Sequence, residues 1–123
     1  MRKVMVGGVF NVVHPGHIYF LKEAKKYGDY LIVVVASDKT AGKKSIYPAR
    51  VRKGLVESLD FVDKVVIGSE SDKTEVIRKE KPDVIVLGYD QNMKIPGITI
   101  KRIGKLKGFS TKNILRKIKK REN

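Results

Sequence analysis

The sequence predicts an α/β fold, a single doubly wound parallel sheet with helices on both faces, and three observations predict it. Apolar runs and helical patterns alternate along the chain in the order βαβαβαβ. The run Tyr30–Ala36 is apolar without interruption, which marks a strand covered on both faces. Three of the apolar runs stop at a glycine (Gly7, Gly68 and Gly88), and polar residues follow. Those residues therefore fall at the carboxyl ends of the strands, where sheets of this kind bind ligands.

Each element has its own signal. Lys3–Gly7 reads as the buried first strand, and Gly7 and Gly8 let a ligand approach the backbone closely. Pro15–Tyr27 reads as a helix, with Ile18, Phe20, Leu21 and Ala24 inward and Gly28 as its C-cap. Ser37–Tyr47 reads as a polar, basic loop after the second strand. Pro48, at the favoured first helical position, opens a helix to about Leu59. Asp63–Ile67 is the third strand. Ser71 or Asp72 then caps a helix to about Lys79, with Glu75 placed as in a capping box. Val84–Leu87 is the fourth strand, and Ile98–Ile103 alternates as an edge strand does. Ser110 caps a last helix, Thr111–Lys120. Parallel neighbours are expected to be joined by right-handed crossovers. The link from Gln91 to Ile98 is too short for a crossover helix, so either the last strand runs antiparallel or residues are missing there.

Bulk properties narrow the function. A chain of 123 residues is expected to form one domain, 1–123, and its 41% apolar content argues against disorder. No apolar run reaches the ~18 residues of a membrane span. Met1-Arg2-Lys3 leads directly into a strand, with no signal-peptide pattern. The absence of cysteine excludes disulfides, thiolate metal sites and a cysteine nucleophile, and fits a cytoplasmic enzyme. The formal net charge of +14 favours anionic partners: nucleic acid, nucleoside triphosphates or phosphorylated metabolites. A lysine-rich solvated surface accounts for the same charge.

The stretch His14-Pro15-Gly16-His17 carries the chemistry. It holds both histidines of the protein, three apart at a helix start. That spacing puts the imidazoles on one side of the first turn, where free backbone N–H groups and the helix dipole attract an anion. Alone, the pair reads as a zinc site completed by carboxylates, as an acid–base histidine, as two structural residues, or as N–H donors to phosphoryl oxygens.

Gly8-Val9-Phe10-Asn11-Val12-Val13-His14-Pro15-Gly16-His17 resembles the G-x-F-D-x-x-H-x-G-H signature of the cytidylyltransferase-like nucleotidyltransferases. Gly108-Phe109-Ser110-Thr111-Lys112 resembles that family's G-I-S-T-T segment, and Lys81–Gln91 is most similar to archaeal FAD synthases. Three motifs in the right order make the resemblance specific to the family. It implies the Rossmann-like HxGH nucleotidyltransferase fold, and transfer of a nucleoside monophosphate to a phosphorylated acceptor with release of pyrophosphate. Asn11 departs from the family by replacing its aspartate, which keeps hydrogen bonding but removes a charge.

Carried onto this chain, the resemblance makes His14, His17 and Lys44 catalytic. It places Gly8, Val9, Phe10, Pro15, Gly16, Asp90, Ser110 and Thr111 with the histidines around the nucleotide, and Lys43 and Arg52 at the acceptor. Each has a plain alternative: Ser110 and Thr111 as a helix cap, Asp90 as a turn residue, Lys43 and Lys44 as solvated charges, and Arg52 paired with Glu57. No metal is held by protein ligands alone; Mg²⁺ comes with the triphosphate. ATP with FMN is the first substrate pair. CTP with glycerol 3-phosphate is the second, and sugar-phosphate adenylyltransfer the third. The family also implies a homodimer; no membrane partner is expected from the apolar runs, and the lack of an RNA-binding aromatic signature or a recognition-helix motif argues against nucleic acid. A non-catalytic nucleotide- or nucleic-acid-binding module is the alternative of another class.

Overall fold

The computed structural model describes residues 1–11, 13–89 and 91–104. Its elements are β1 (Lys3–Gly8), α1 (Pro15–Lys25), β2 (Tyr30–Val35), α2 (Asp38–Ala41), α3 (Ala49–Glu57), β3 (Lys64–Ile67), α4 (Glu75–Glu80), β4 (Val84–Leu87) and β5 (Thr99–Arg102). The five strands form one sheet in the order β3-β2-β1-β4-β5. Every pairing is parallel, with Gly8 opposite Val35, Met5 opposite Ile85 and Leu87 opposite Arg102. The expected parallel α/β sheet is present.

Strand alternation sorts the apolar side chains into two layers. Val4, Val6, Leu31, Val33, Val35, Val84 and Val86 pack with Leu21 and Ala24 of α1 and Val56 of α3. Met5, Ile32, Ile85 and Leu87 pack on the other face with Ile77 of α4. Helices thus cover both faces, which is why β2 reads as an unbroken apolar run. At the amino ends of the strands, carboxylates accept backbone amides. Asp29 Oδ2 takes Arg2 N at 3.0 Å, Asp83 Oδ2 takes Lys3 N at 2.8 Å and Asp63 Oδ2 takes Leu31 N at 2.8 Å. Three acidic side chains are thereby committed at the edge opposite the glycine turns.

Several expectations are corrected. β5 is parallel to β4, not antiparallel, and the described residues between the two strands include no helix. A parallel return needs enough chain to travel back along a short strand. At ~3.3 Å per residue, residues 88–98 reach far beyond the length of β4. Gly28 does not cap α1, whose C-cap is Lys26. Its lack of a side chain serves packing instead, since a Cβ there would sit 2.6 Å from the Arg2 carbonyl oxygen. The loop from Ser37 to Tyr47 contains α2 and a 3₁₀ turn, Gly42–Lys44. Ser37 caps α2 by accepting Thr40 N at 3.1 Å. Pro48 is the N-cap of α3, not its first residue. α4 starts later than expected and has no capping box. Asp72 instead accepts Thr74 N at 2.9 Å one turn earlier and pairs with Arg78. The predicted helix Thr111–Lys120 lies outside the described residues.

Candidate active site

The strand order reverses direction at β1, which has β2 on one side and β4 on the other, so the crevice of the fold opens beyond its carboxyl end. Gly7 and Gly8 end that strand. Phe10 follows with a positive φ of 56°, a conformation that costs a non-glycine residue ~1–3 kcal/mol. Its ring is 5% exposed, and burial of a phenylalanine returns ~1.5–3 kcal/mol. The ring lies over Gly8, where a Cβ would approach it to 2.9 Å. Gly8 is therefore the residue that lets the chain turn sharply from β1 toward α1.

The two histidines form the capping box of α1, a role usually filled by Ser or Thr with Glu or Gln. His14 is the N-cap, and its Nδ1 accepts Gly16 N at 3.0 Å. His17 reaches back, and its Nδ1 accepts His14 N at 3.2 Å. An imidazole nitrogen that accepts an N–H carries no proton, so the neutral form of each ring carries its hydrogen on Nε2. The caps thus fix both tautomers and leave two Nε2–H donors. The ring centroids are 3.9 Å apart at 38°, and Phe10 lies 5.6 Å from His17. Burial lowers the pKa of His14. Burial, and then the charge of His14, lower that of His17 to about 4. Both rings are accordingly neutral near pH 7 and act as uncharged donors at a helix N-terminus.

A cavity of about 360 Å³ opens at the same ends of the sheet. Met5, Val34, Val76, Ile85 and Met93 give it apolar walls, and Gly7, Gly8, Ser37, Ser69 and Lys73 supply polar points. The histidines are not in its lining, but Gly8 and Val9, which precede them, are. The structure thus sets an apolar chamber beside a phosphate-suited turn.

The remaining expected residues fall as follows. Pro15 and Gly16 are the first two residues of α1. Lys43 and Lys44 are exposed on the 3₁₀ turn, which Asn11 ties to the histidine loop: Asn11 Nδ2 donates to the Lys44 carbonyl, and Oδ1 accepts Ile46 N at 2.9 Å. Arg52 is not at the surface and does not pair with Glu57, which pairs with Lys53. Its side chain is fully buried and donates to Tyr47 O at 2.8 Å, Val9 O at 2.9 Å, Ala36 O at 2.8 Å and Asp38 Oδ1 at 3.0 Å. Asp90, Ser110 and Thr111 lie outside the described residues.

Gln91 is expected on the rim after Gly88, but its place there does not reveal its role. Its Oε1 accepts Gly88 N at 2.9 Å and its Nε2 donates to Gly7 O at 3.0 Å, joining the ends of β4 and β1 beneath the cavity. An amide placed directly after a strand-ending glycine turn is the signal that could have marked it. Among the described residues, no three His, Cys, Asp or Glu side chains cluster as metal ligands. No described helix is long and apolar enough to cross a membrane.

With this geometry in hand, comparison with known proteins is informative. The cytidylyltransferase-like family model matches residues 5–122. The FAD synthase of Picrophilus torridus is 50% identical over 93 residues, covering 73% of this chain and 67% of that protein. The FAD synthase of Ferroglobus placidus is also 50% identical, and the match spans 62% of its length. The FAD synthase of Thermoplasma volcanium is 45% identical over 122 residues, with 88% of this chain and 86% of that protein covered. Among solved structures, the lipopolysaccharide core biosynthesis protein of Thermoplasma volcanium superposes with a TM-score of 0.76 at 42% identity, over 86% of this chain and 97% of that one. The pantoate–β-alanine ligase of Francisella tularensis has a TM-score of 0.61 at 18% identity, covering 99% and 70%, a likeness of fold alone.

Proposed function

This chain belongs to the cytidylyltransferase-like family, and from that premise we propose that it transfers AMP from ATP to FMN, giving FAD and pyrophosphate. The observation that carries the proposal is the histidine capping box, which presents two uncharged Nε2–H donors beside a strand-ending glycine pair and an apolar chamber. A flat aromatic ring, the base of the nucleotide or the flavin, suits such a chamber. The FAD synthases among the relatives support the same substrate pair.

In this reading a phosphate oxygen of FMN attacks the α-phosphorus of ATP. One P–O bond forms, the bond to the β-phosphate breaks, and pyrophosphate leaves with the bonding electrons. The attacking phosphate is already ionised at neutral pH, so no general base is required. Negative charge shifts onto the phosphoryl oxygens, where His14 and His17 donate from Nε2 and the amides at the start of α1 add their dipole. Lys43 and Lys44 attract the acceptor or the triphosphate, and Arg52 acts from below by holding Val9 and Ala36. Asp90, Ser110 and Thr111 are assigned to the nucleotide by resemblance. Mg²⁺ accompanying ATP would take phosphate oxygens and water as ligands, since the described residues offer no carboxylate cage, and it would offset phosphate charge.

The test supplies Mg²⁺ with ATP or CTP across FMN, glycerol 3-phosphate and sugar phosphates, and follows pyrophosphate and product. FAD from ATP and FMN is expected, and His17→Ala should lower kcat ~100-fold or more. Preference for CTP, or turnover only with a non-flavin acceptor, would overturn the assignment. The reading also includes a cytoplasmic homodimer that does not bind nucleic acid. Exposed Ile46, Tyr47, Val51 and Leu55, before and along α3, offer a dimer face. A monomer in sedimentation velocity would remove the dimer, and a salt-resistant shift of labelled RNA or DNA would reopen nucleic acid as a partner.

A further inference from the structure

We infer that Asn11 is a positioning residue that sets the Lys43–Lys44 turn against the histidines, its amide supplying both the donor and the acceptor that this turn presents. The inference rests on the reading of those lysines as phosphate contacts. Asn11 stands between Phe10, whose ring is locked in the core, and His14, the N-cap of α1. Its side chain reaches the segment that follows β2. Nδ2 donates to the carbonyl of Lys44, and Oδ1 accepts Ile46 N at 2.9 Å. A backbone carbonyl can only accept and a backbone amide can only donate, so one orientation of the amide satisfies both and the reverse satisfies neither.

The two bonds grip the chain on both sides of Ser45, immediately after the lysine pair. Elsewhere this segment is secured at Ser45 N, which donates to Gly42 O at 3.1 Å, and at Ser45 Oγ, which donates to Tyr47 O at 2.7 Å. Both of those bonds lie within the segment, so neither sets its distance from β1. Arg52 fixes the Tyr47 carbonyl from below, but it lies beyond the lysines. Among the described residues, Asn11 thus joins the lysine turn directly to the loop that carries the histidines, and Arg52 bridges Val9 and Tyr47 one residue further on.

An aspartate at this position is acceptor-only when ionised. It would keep the Ile46 amide but set a carboxylate oxygen against the Lys44 carbonyl, replacing an attraction with a repulsion. Alanine would lose both bonds. In neither case is a core side chain removed, so the change is confined to where the lysines stand.

The experiment pairs amide hydrogen exchange without substrate with steady-state kinetics. In Asn11→Ala the Ile46 amide is expected to exchange at least about tenfold faster, and in Asn11→Asp to stay near wild type. KM for the substrate whose phosphate the lysines hold, FMN or ATP, should rise about tenfold in both variants, with kcat falling too where Lys44 takes part in the transfer. Unchanged Ile46 exchange in Asn11→Ala, or an unchanged KM for both FMN and ATP, would overturn the inference. Failure of the wild-type protein to use FMN would instead count against the proposed function, while the exchange arm would still decide whether the tie exists.

Discussion

His17 titrates as part of the helix it caps. Its Nδ1 holds the His14 amide, and protonation there would break that bond and place charge in a half-buried site. Its pKa is about 4 when folded against 6.5 for an unperturbed histidine. Between those values the unfolded chain binds a proton that the folded chain refuses, so stability rises with pH across this window. The contribution is complete above pH 6.5 and is lost as pH falls toward 4. His17→Gln keeps an acceptor at the same helical position and does not titrate. Its melting temperature should therefore fall less than that of the wild type on acidification from pH 7 to 4. Parallel acid limbs would show that His17 does not carry the effect. The sequence makes the pair visible through its spacing and the helix-starting Pro15. It does not reveal that both Nδ1 atoms are occupied, because two histidines reciprocating as a capping box have no compositional signal.

At the scale of elements, α3 matters for what it buries. Arg52 joins the turn after β1, the turn after β2 and the approach to α3 through one guanidinium. Asp38, its charged partner, also accepts Ala49 N at 2.9 Å. Arg52→Met would leave three carbonyls without their donor and should cost ~3 kcal/mol in urea denaturation. Arg52→Lys should recover only part, because an ammonium cannot reproduce a planar fork. Stability within ~0.5 kcal/mol of wild type would contradict the buried network. This role is hidden in the sequence. An arginine among Arg50, Lys53 and other cations looks like part of a solvated face, and only folding shows which one turns inward. Gly28 teaches a related lesson: its position near a helix end suggests a cap, while the structure uses its missing side chain to admit the Arg2 carbonyl. Strand assignments fared better, since burial on one or both faces imprints directly on the apolar pattern.

Across the whole molecule, charge is distributed by edge. Asp29, Asp63 and Asp83 are committed to amides at the amino ends of the strands, whereas Asp38 and Asp72 at the opposite rim pair with arginines. Cations on that rim are left to act on incoming phosphates, within a net charge of +14. Accordingly, kcat/KM should fall as ionic strength rises from ~10 mM to ~300 mM, while kcat at saturation changes little. Insensitivity of kcat/KM to salt would show that the field does not guide substrate. The sheet class and the rim were legible in the alternation of elements. The direction of β5 was not, because a helix-free parallel return leaves the same short polar stretch as an antiparallel one.

That return has a further effect. Among the described residues, the second face of the sheet is covered by α4 and the arm that carries Met93 and Ile95. α1 is eleven residues long and closed by reciprocal bonds at its start, whereas α4 has six residues and no side-chain cap. Helices that short owe their order to their neighbours. The chamber therefore has a compliant wall in α4, while the phosphate donors stand beside it on the stiff turn into α1. Selectivity divides accordingly. FMN analogues with bulkier rings are expected to keep turnover, whereas analogues with a repositioned phosphate should lose it, because α4 can yield to shape and the histidine turn cannot.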